Sequence, residues 1–174
     1  LGTGAPLRQN VDQGKLPSMI LWGAAGVGKT TLALLLAEAV DRPLISLSAI
    51  NTGVKELRDI IGHGGDLLPP VVFIDEIHRF NKTQQDALLA AVEKGQITLI
   101  GATTENPSFE VNHALLSRCQ VYTLQPLTRD ELIAVLERAL RQDSMLKTRQ
   151  IQLTEVDALI QLSGGDARKL LNLL

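Results

Sequence analysis

The run Gly23-Ala24-Ala25-Gly26-Val27-Gly28-Lys29-Thr30-Thr31 constrains this chain more than any other feature, because of what flanks it. It follows the apolar stretch Met19-Ile-Leu-Trp22 directly and leads into the apolar helical stretch Thr31 to Val40. The pattern G-x-x-x-x-G-K-[ST] between a strand and a helix is what a phosphate cradle requires. Glycines let the backbone turn its N–H groups toward phosphate at the positive end of the following helix. Lys29 can then reach the β- and γ-phosphate oxygens, and the Thr30 hydroxyl can ligate Mg²⁺. The ligands expected for Gly23 through Thr31 are therefore ATP and Mg²⁺.

A strand–loop–helix unit of this kind belongs in a parallel sheet, and the rest of the chain continues the alternation. Pro43 to Ser48 reads as a second strand, Val54 to Ile61 as a helix, and Val71-Val-Phe-Ile74 as a fully buried strand. Asn81 and Gln84 have the spacing of a capping box that opens a helix, and Gly95 can close it. Ile97 to Ala102 is the fourth strand; a short helix from about Asn112 to Ser117 leads to the fifth, Gln120 to Leu124. Five such strands predict a P-loop α/β domain with helices on both faces of a parallel sheet.

After Pro126 no strand pattern remains. Thr128 with Glu131 and Thr154 with Asp157 begin two helices, and Gly164-Gly165 precedes a third. The expected organisation is an ATPase core at 1–125 and a small helical lid at 126–174. Gly62 to Pro70 reads as a loop. The first residue is not Met and the last ones lie inside an apolar helical pattern, so the chain reads as a fragment of a longer protein.

The third strand ends in Asp75-Glu76, which delivers two carboxylates to the sheet edge where α/β folds bind ligands. Asp75 is the expected Mg²⁺ residue and Glu76 the general base that polarises the attacking water. Two adjacent acids favour a hydrolase of this class over a small-molecule kinase or a Ras-like GTPase, because its hydrolysis needs a carboxylate beside the water. The fourth strand runs into Thr103-Thr104-Glu105-Asn106, which puts polar groups at the same edge. By position alone Arg118 and Arg168 read as surface residues. Cys119 reads as a small apolar residue entering a strand, and His63, His78 and His113 as solvated or locally hydrogen-bonded.

Bulk properties bound the partners. Seventeen basic against nineteen acidic residues give a net charge of -2, which argues against nucleic-acid binding by bulk charge alone and makes any DNA contact local. One cysteine cannot form an internal disulfide and fits a reducing compartment, with the cytoplasm as the expected location. No apolar run approaches the roughly 20 residues of a membrane span, and the N-terminal residues lack a signal-peptide core.

Three longer stretches are more specific: Asp75-Glu-Ile-His-Arg-Phe-Asn-Lys-Thr-Gln-Gln-Asp86, Ile100-Gly-Ala-Thr-Thr-Glu-Asn-Pro-Ser-Phe109 and Leu115-Leu-Ser-Arg-Cys119. With Leu162-Ser-Gly-Gly-Asp-Ala-Arg168, the chain resembles the replication-associated recombination protein A family over nearly its whole length. That family's eukaryotic relative is the Werner-helicase-interacting protein. The resemblance implies a clamp-loader-like AAA+ ATPase that acts on single-stranded, gapped or forked DNA as an assembled full-length homo-oligomer, with a single-stranded-DNA-binding protein as a partner. It also implies roles: Thr104 as sensor 1, Arg118 as an arginine finger entering a neighbour's site, Arg168 as the lid's sensor 2, and Leu7 and Arg8 as part of the adenine pocket.

The family usually carries Pro-Pro where this chain has Ala24-Ala25, and often Thr where it has Val27. Neither position supplies a required side chain of the cradle. Its loop Gly62 to Pro70 is shorter than in many relatives. Three other readings remain: a clamp-loader subunit or branch-migration motor, a module that holds ATP without hydrolysing it, and a metabolic kinase. Modules of the second kind commonly lose the lysine, the acidic pair or the finger, whereas this chain keeps Lys29, Asp75, Glu76 and Arg118.

Overall fold

The computed structural model describes residues 6–48, 57, 59, 68–148, 151, 153 and 155–174. The apolar runs form β1 (Met19–Trp22), β2 (Leu44–Ser48), β3 (Val71–Asp75), β4 (Thr98–Thr103) and β5 (Gln120–Thr123). Every pairing is parallel, in the order β2-β3-β4-β1-β5. This is the α/β sheet expected from the alternating pattern. Parallel neighbours need crossover connections, and the same part of the chain supplies α1 (Pro6–Asp12), α2 (Lys29–Ala39), α3 (Lys82–Glu93), α4 (Pro107–Glu110) and α5 (His113–Leu116).

Strand alternation explains why the inner runs are apolar throughout. Val72 and Ile74 of β3 pack with Leu88 and Ala91 of α3, while Val71 and Phe73 point to the opposite face and are buried as well. The fifth strand departs from the expectation of a strand covered on both faces. It pairs only with β1, and Val121 is 44% exposed, because it lies at the sheet's edge.

The cap of α3 is as expected. Asn81 Oδ1 accepts from the Gln84 N–H at 3.0 Å, and Gln84 Oε1 accepts from the Asn81 N–H at 2.9 Å. Gly95 ends that helix at φ +64°, a conformation glycine adopts without strain. Of the helix expected over 54–61, only Leu57 and Asp59 are among the described residues; both are helical, and Leu57 is fully buried. The Gly62 to Pro70 loop lies outside the described residues up to 67. No helix among the described residues is long and apolar enough to cross a membrane.

By contacts the chain divides into two compact units, Leu1–Gly23 with Lys29–Thr123, and Ala24–Gly28 with Leu124–Leu174. The second holds α6 (Arg129–Gln142), α7 (Ser144–Thr148), α8 (Val156–Ser163) and α9 (Ala167–Asn172) around Leu132, Leu136 and Leu170. Glu131 Oε2 accepts from the Thr128 N–H at 2.7 Å, completing a capping box, and that bond holds the Glu131 carboxyl below its usual range. Thr154, read as a helix cap, lies outside the described residues. The short α7 was not expected; Asp143 Oδ1 starts it by accepting from the N–H groups of Met145 and Leu146 at 2.9 and 3.0 Å.

Within this second unit Asp166 caps α9, accepting from the N–H groups of Arg168 and Lys169 at 2.8 and 3.1 Å. The Asp166 side chain and Cα also lie against Gly26, whose φ is +73°. A Cβ at residue 26 would stand 2.9 Å from Asp166 Cα and nearer still to its carboxylate, so position 26 requires glycine on two counts.

Candidate active site

Three neighbouring strands, with β4 between β1 and β3, end at one edge of the sheet. Trp22 is in register with Thr103 and Ile74 with Gly101, and the Gly23 N–H donates to the Thr103 carbonyl at 3.2 Å. Gly23, the Asp75-Glu76 pair and Thr103-Thr104 therefore leave the sheet side by side. Continuous apolar runs carry each strand to this point, and each run stops where its polar residues begin.

Lys29 opens α2 and is buried at 8% exposure, with Nζ donating to the Gly23 carbonyl at 2.8 Å. A buried ammonium needs such a partner. Thr30 follows half-buried in the first turn and Thr31 exposed. Ahead of Lys29, Gly26 and Gly28 have φ of +73° and +93°, the turned backbone that a cradle of N–H groups uses. Val27 is buried, whereas Ala24 and Ala25 are exposed.

Asp75 ends β3 with its side chain exposed, and Glu76 next to it is half-buried. Glu76 adopts φ +53°, ψ +50°, the left-handed region that costs a non-glycine residue about 1–3 kcal/mol. It begins a 3₁₀ turn, Ile77–Arg79, anchored by the fully buried Ile77. The Thr104 hydroxyl donates to Glu76 Oε2 at 3.4 Å, and His78 Nδ1 lies 3.3 Å from the same oxygen. His78 Nδ1 is also hydrogen-bonded to Thr103 Oγ1 at 2.9 Å. From the sequence His78 reads as solvated or locally hydrogen-bonded, with no sign of its neighbour; its place two residues after an acid at a strand end is the available clue.

Asp75 and Thr30 offer a carboxylate and a hydroxyl, hard oxygen donors of the type Mg²⁺ takes together with substrate phosphates. Among the described residues no group of three or more His, Cys, Asp or Glu is placed to hold a metal by itself.

Other expected residues lie elsewhere. Arg118, just after α5, donates from Nη1 to Ser117 Oγ at 3.2 Å and pairs through Nη2 with Glu93 at 3.0 Å, both side chains about half exposed. Leu7 is buried on α1, and Arg8 is exposed and paired with Asp12 at 3.1 Å. Arg168 is exposed on the first turn of α9, in the second unit. Burial pushes the Cys119 thiol up to about 11, so it stays protonated at neutral pH, in keeping with a packing role. His63 lies outside the described residues.

The ATPase family associated with various cellular activities (AAA) matches residues 19–127. Among curated proteins, the chain is 48% identical over its full length to the Replication-associated recombination protein A of Coxiella burnetii, covering 41% of that protein. It is 44% identical to the ATPase WRNIP1 of Dictyostelium discoideum, with 98% of this chain and 20% of that one aligned. The resemblance seen in the motifs is thus met by relatives of that name, and the chain spans about two fifths or less of their length. Among solved structures, the RuvB Holliday junction branch migration motor of Thermotoga maritima superimposes with a TM-score of 0.79 at 29% identity, over 96% of this chain and 56% of that one.

Proposed function

Because the chain belongs to the ATPase family associated with various cellular activities, we propose that it is the Mg²⁺-dependent ATP-hydrolysing part of a protein that works on DNA in replication-associated recombination. The observation that carries the reading is the single sheet edge at which Lys29, Asp75, Glu76 and Thr104 meet. Gly23 through Thr31 cradles the phosphates, and Lys29 leaves the Gly23 carbonyl for the β- and γ-oxygens. Thr30 and Asp75 hold Mg²⁺, which supplies charge neutralisation for the phosphate oxygens when bound. Glu76 accepts a proton from the attacking water, with Thr104 steadying its carboxylate.

In this account residues 1–125 form the catalytic core and 126–174 a lid, whose Arg168 senses the γ-phosphate. Leu7 and Arg8 contribute to the adenine side. Arg118 reaches into the site of a neighbouring copy, so the working unit is a homo-oligomer of the full-length protein in the cytoplasm. The DNA assignment comes from the relatives named for recombination at 48% identity, and it is preferred to a branch-migration motor, where identity falls to 29%. A single-stranded-DNA-binding protein is a fitting partner at such DNA.

Phosphate release by the full-length parent should rise when single-stranded, gapped or forked DNA is added, and more than with blunt duplex. A rate indifferent to every DNA would remove the substrate part of the proposal while leaving the ATPase part standing. Phosphate transfer to a small molecule instead of free phosphate would revive the kinase reading.

A further inference from the structure

Glu76 is held by two side chains, and the mechanism above gives a part to only one of them. We propose that His78 is a positioning residue for hydrolysis, its single Nδ1–H shared between Thr103 Oγ1 and Glu76 Oε2 and holding Oε2 so that Oε1 is the oxygen that takes the proton from water. The inference rests on the reading of Glu76 as general base and extends it to a residue outside the phosphate-contacting set.

The two oxygens facing His78 Nδ1, Thr103 Oγ1 and Glu76 Oε2, bear on its tautomer. A threonine hydroxyl has one hydrogen to give and two lone pairs to receive with. Thr103 Oγ1 donates to the Glu105 carbonyl at 3.3 Å and accepts from the Glu105 N–H at 3.0 Å. The second lone pair is free for His78 Nδ1 at 2.9 Å, and the Glu76 carboxylate, 3.3 Å from the same nitrogen, can only accept; together they place the hydrogen on Nδ1. A bare Nδ1 lone pair would instead face the Glu76 carboxylate 3.3 Å away.

The arrangement is rigid where it needs to be. Thr103 is fully buried at the end of β4, and the His78 side chain is only 15% exposed. Ile77, between Glu76 and His78, is fully buried. The imidazole therefore links a fixed strand end to a carboxylate whose backbone is in the left-handed region, and both the Thr104 and His78 contacts fall on Oε2. An oxygen held from two sides cannot rotate away, and the other oxygen keeps one direction.

Full-length variants test this through kcat and ATP affinity measured separately. His78→Ala should lower kcat for phosphate release roughly 10- to 100-fold, as displacement of a reacting group does, with ATP affinity within about twofold of wild type. His78→Asn, whose amide N–H can occupy the place of Nδ1–H, should recover most of the loss. If His78→Ala does not fold, Thr103→Val, which removes the ring's shorter hydrogen bond and leaves the ring, must reproduce the kcat loss. Wild-type kcat in folded His78→Ala, a loss confined to ATP affinity, or Asn no better than Ala would overturn the proposal. Wild-type turnover by Glu76→Gln would be a different failure, that of the general-base reading itself.

Discussion

Replacing Arg118 with Ala should leave ATP binding near its wild-type value while cutting turnover of the assembled full-length protein roughly 10³- to 10⁵-fold, the worth of an arginine finger supplied in trans. That range corresponds to about 4–7 kcal/mol of transition-state stabilisation. The present partner of Arg118 cannot compete with it. An ion pair as exposed as Arg118–Glu93, at 3.0 Å, contributes about 0–1 kcal/mol, so the guanidinium can leave Glu93 for a neighbouring γ-phosphate. Position also suits the role, since Arg118 lies on the surface just after α5.

Mixing two inactive variants then tests the geometry. A Lys29→Ala subunit has lost tight ATP binding but still offers Arg118, and an Arg118→Ala subunit binds ATP but offers no finger. In a random one-to-one mixture about a quarter of the head-to-tail interfaces pair an intact loop with an intact finger. Activity should return to about that fraction of wild type. Confirmed co-assembly without recovery would refute a finger acting in trans.

Lys29→Ala should itself weaken ATP binding by roughly 10- to 150-fold in Kd, from the loss of charge-assisted hydrogen bonds worth about 1.5–3 kcal/mol. The buried ammonium is already desolvated and paired with the Gly23 carbonyl at 2.8 Å, so it exchanges one buried acceptor for more strongly charged ones. The substitution also deprives that carbonyl of its donor. Calorimetric titration of full-length protein with ATP checks the effect, and an unchanged Kd would remove Lys29 from the cradle. Thermal unfolding without nucleotide should be measured alongside, because a damaged loop would lower it.

The sheet was legible because its strands are buried. Met19–Trp22 and the run from Val71 to Ile74 are apolar and end abruptly at Gly23 and Asp75, so the pattern set the strand limits to within a residue. The caps of α3 and α6 were legible for a local reason: Asn81 with Gln84 and Thr128 with Glu131 complete their hydrogen bonds within four residues. The exposure of β5 was not, since Gln120-Val-Tyr-Thr123 has strand composition and only its pairing partner makes it an edge. The helix Pro107–Glu110 was passed over because a single turn has no periodicity, although Asn106 caps it and Pro107 opens it.

At the site, the phosphate loop and the acidic pair could be read because their spacing is covalent. His78 could not, because its importance comes from Thr103, which is 25 residues away in sequence. The contact of Asp166 with Gly26 was hidden for the same reason, at a greater separation. Roles for Thr104, Arg118 and Arg168 came from family resemblance and from no periodicity or composition.

The claim that Lys29, Asp75 and Glu76 form a hydrolytic site is tested most directly by Glu76→Gln in the full-length protein, with ATP affinity and phosphate release measured on the same preparation. The amide keeps the shape of the side chain and can still accept from the Thr104 hydroxyl, but it cannot take a proton from water. The Kd for ATP should be unchanged and release slowed by about 10²–10⁴-fold, the usual contribution of a general base. Release at the wild-type rate with ATP bound would contradict it.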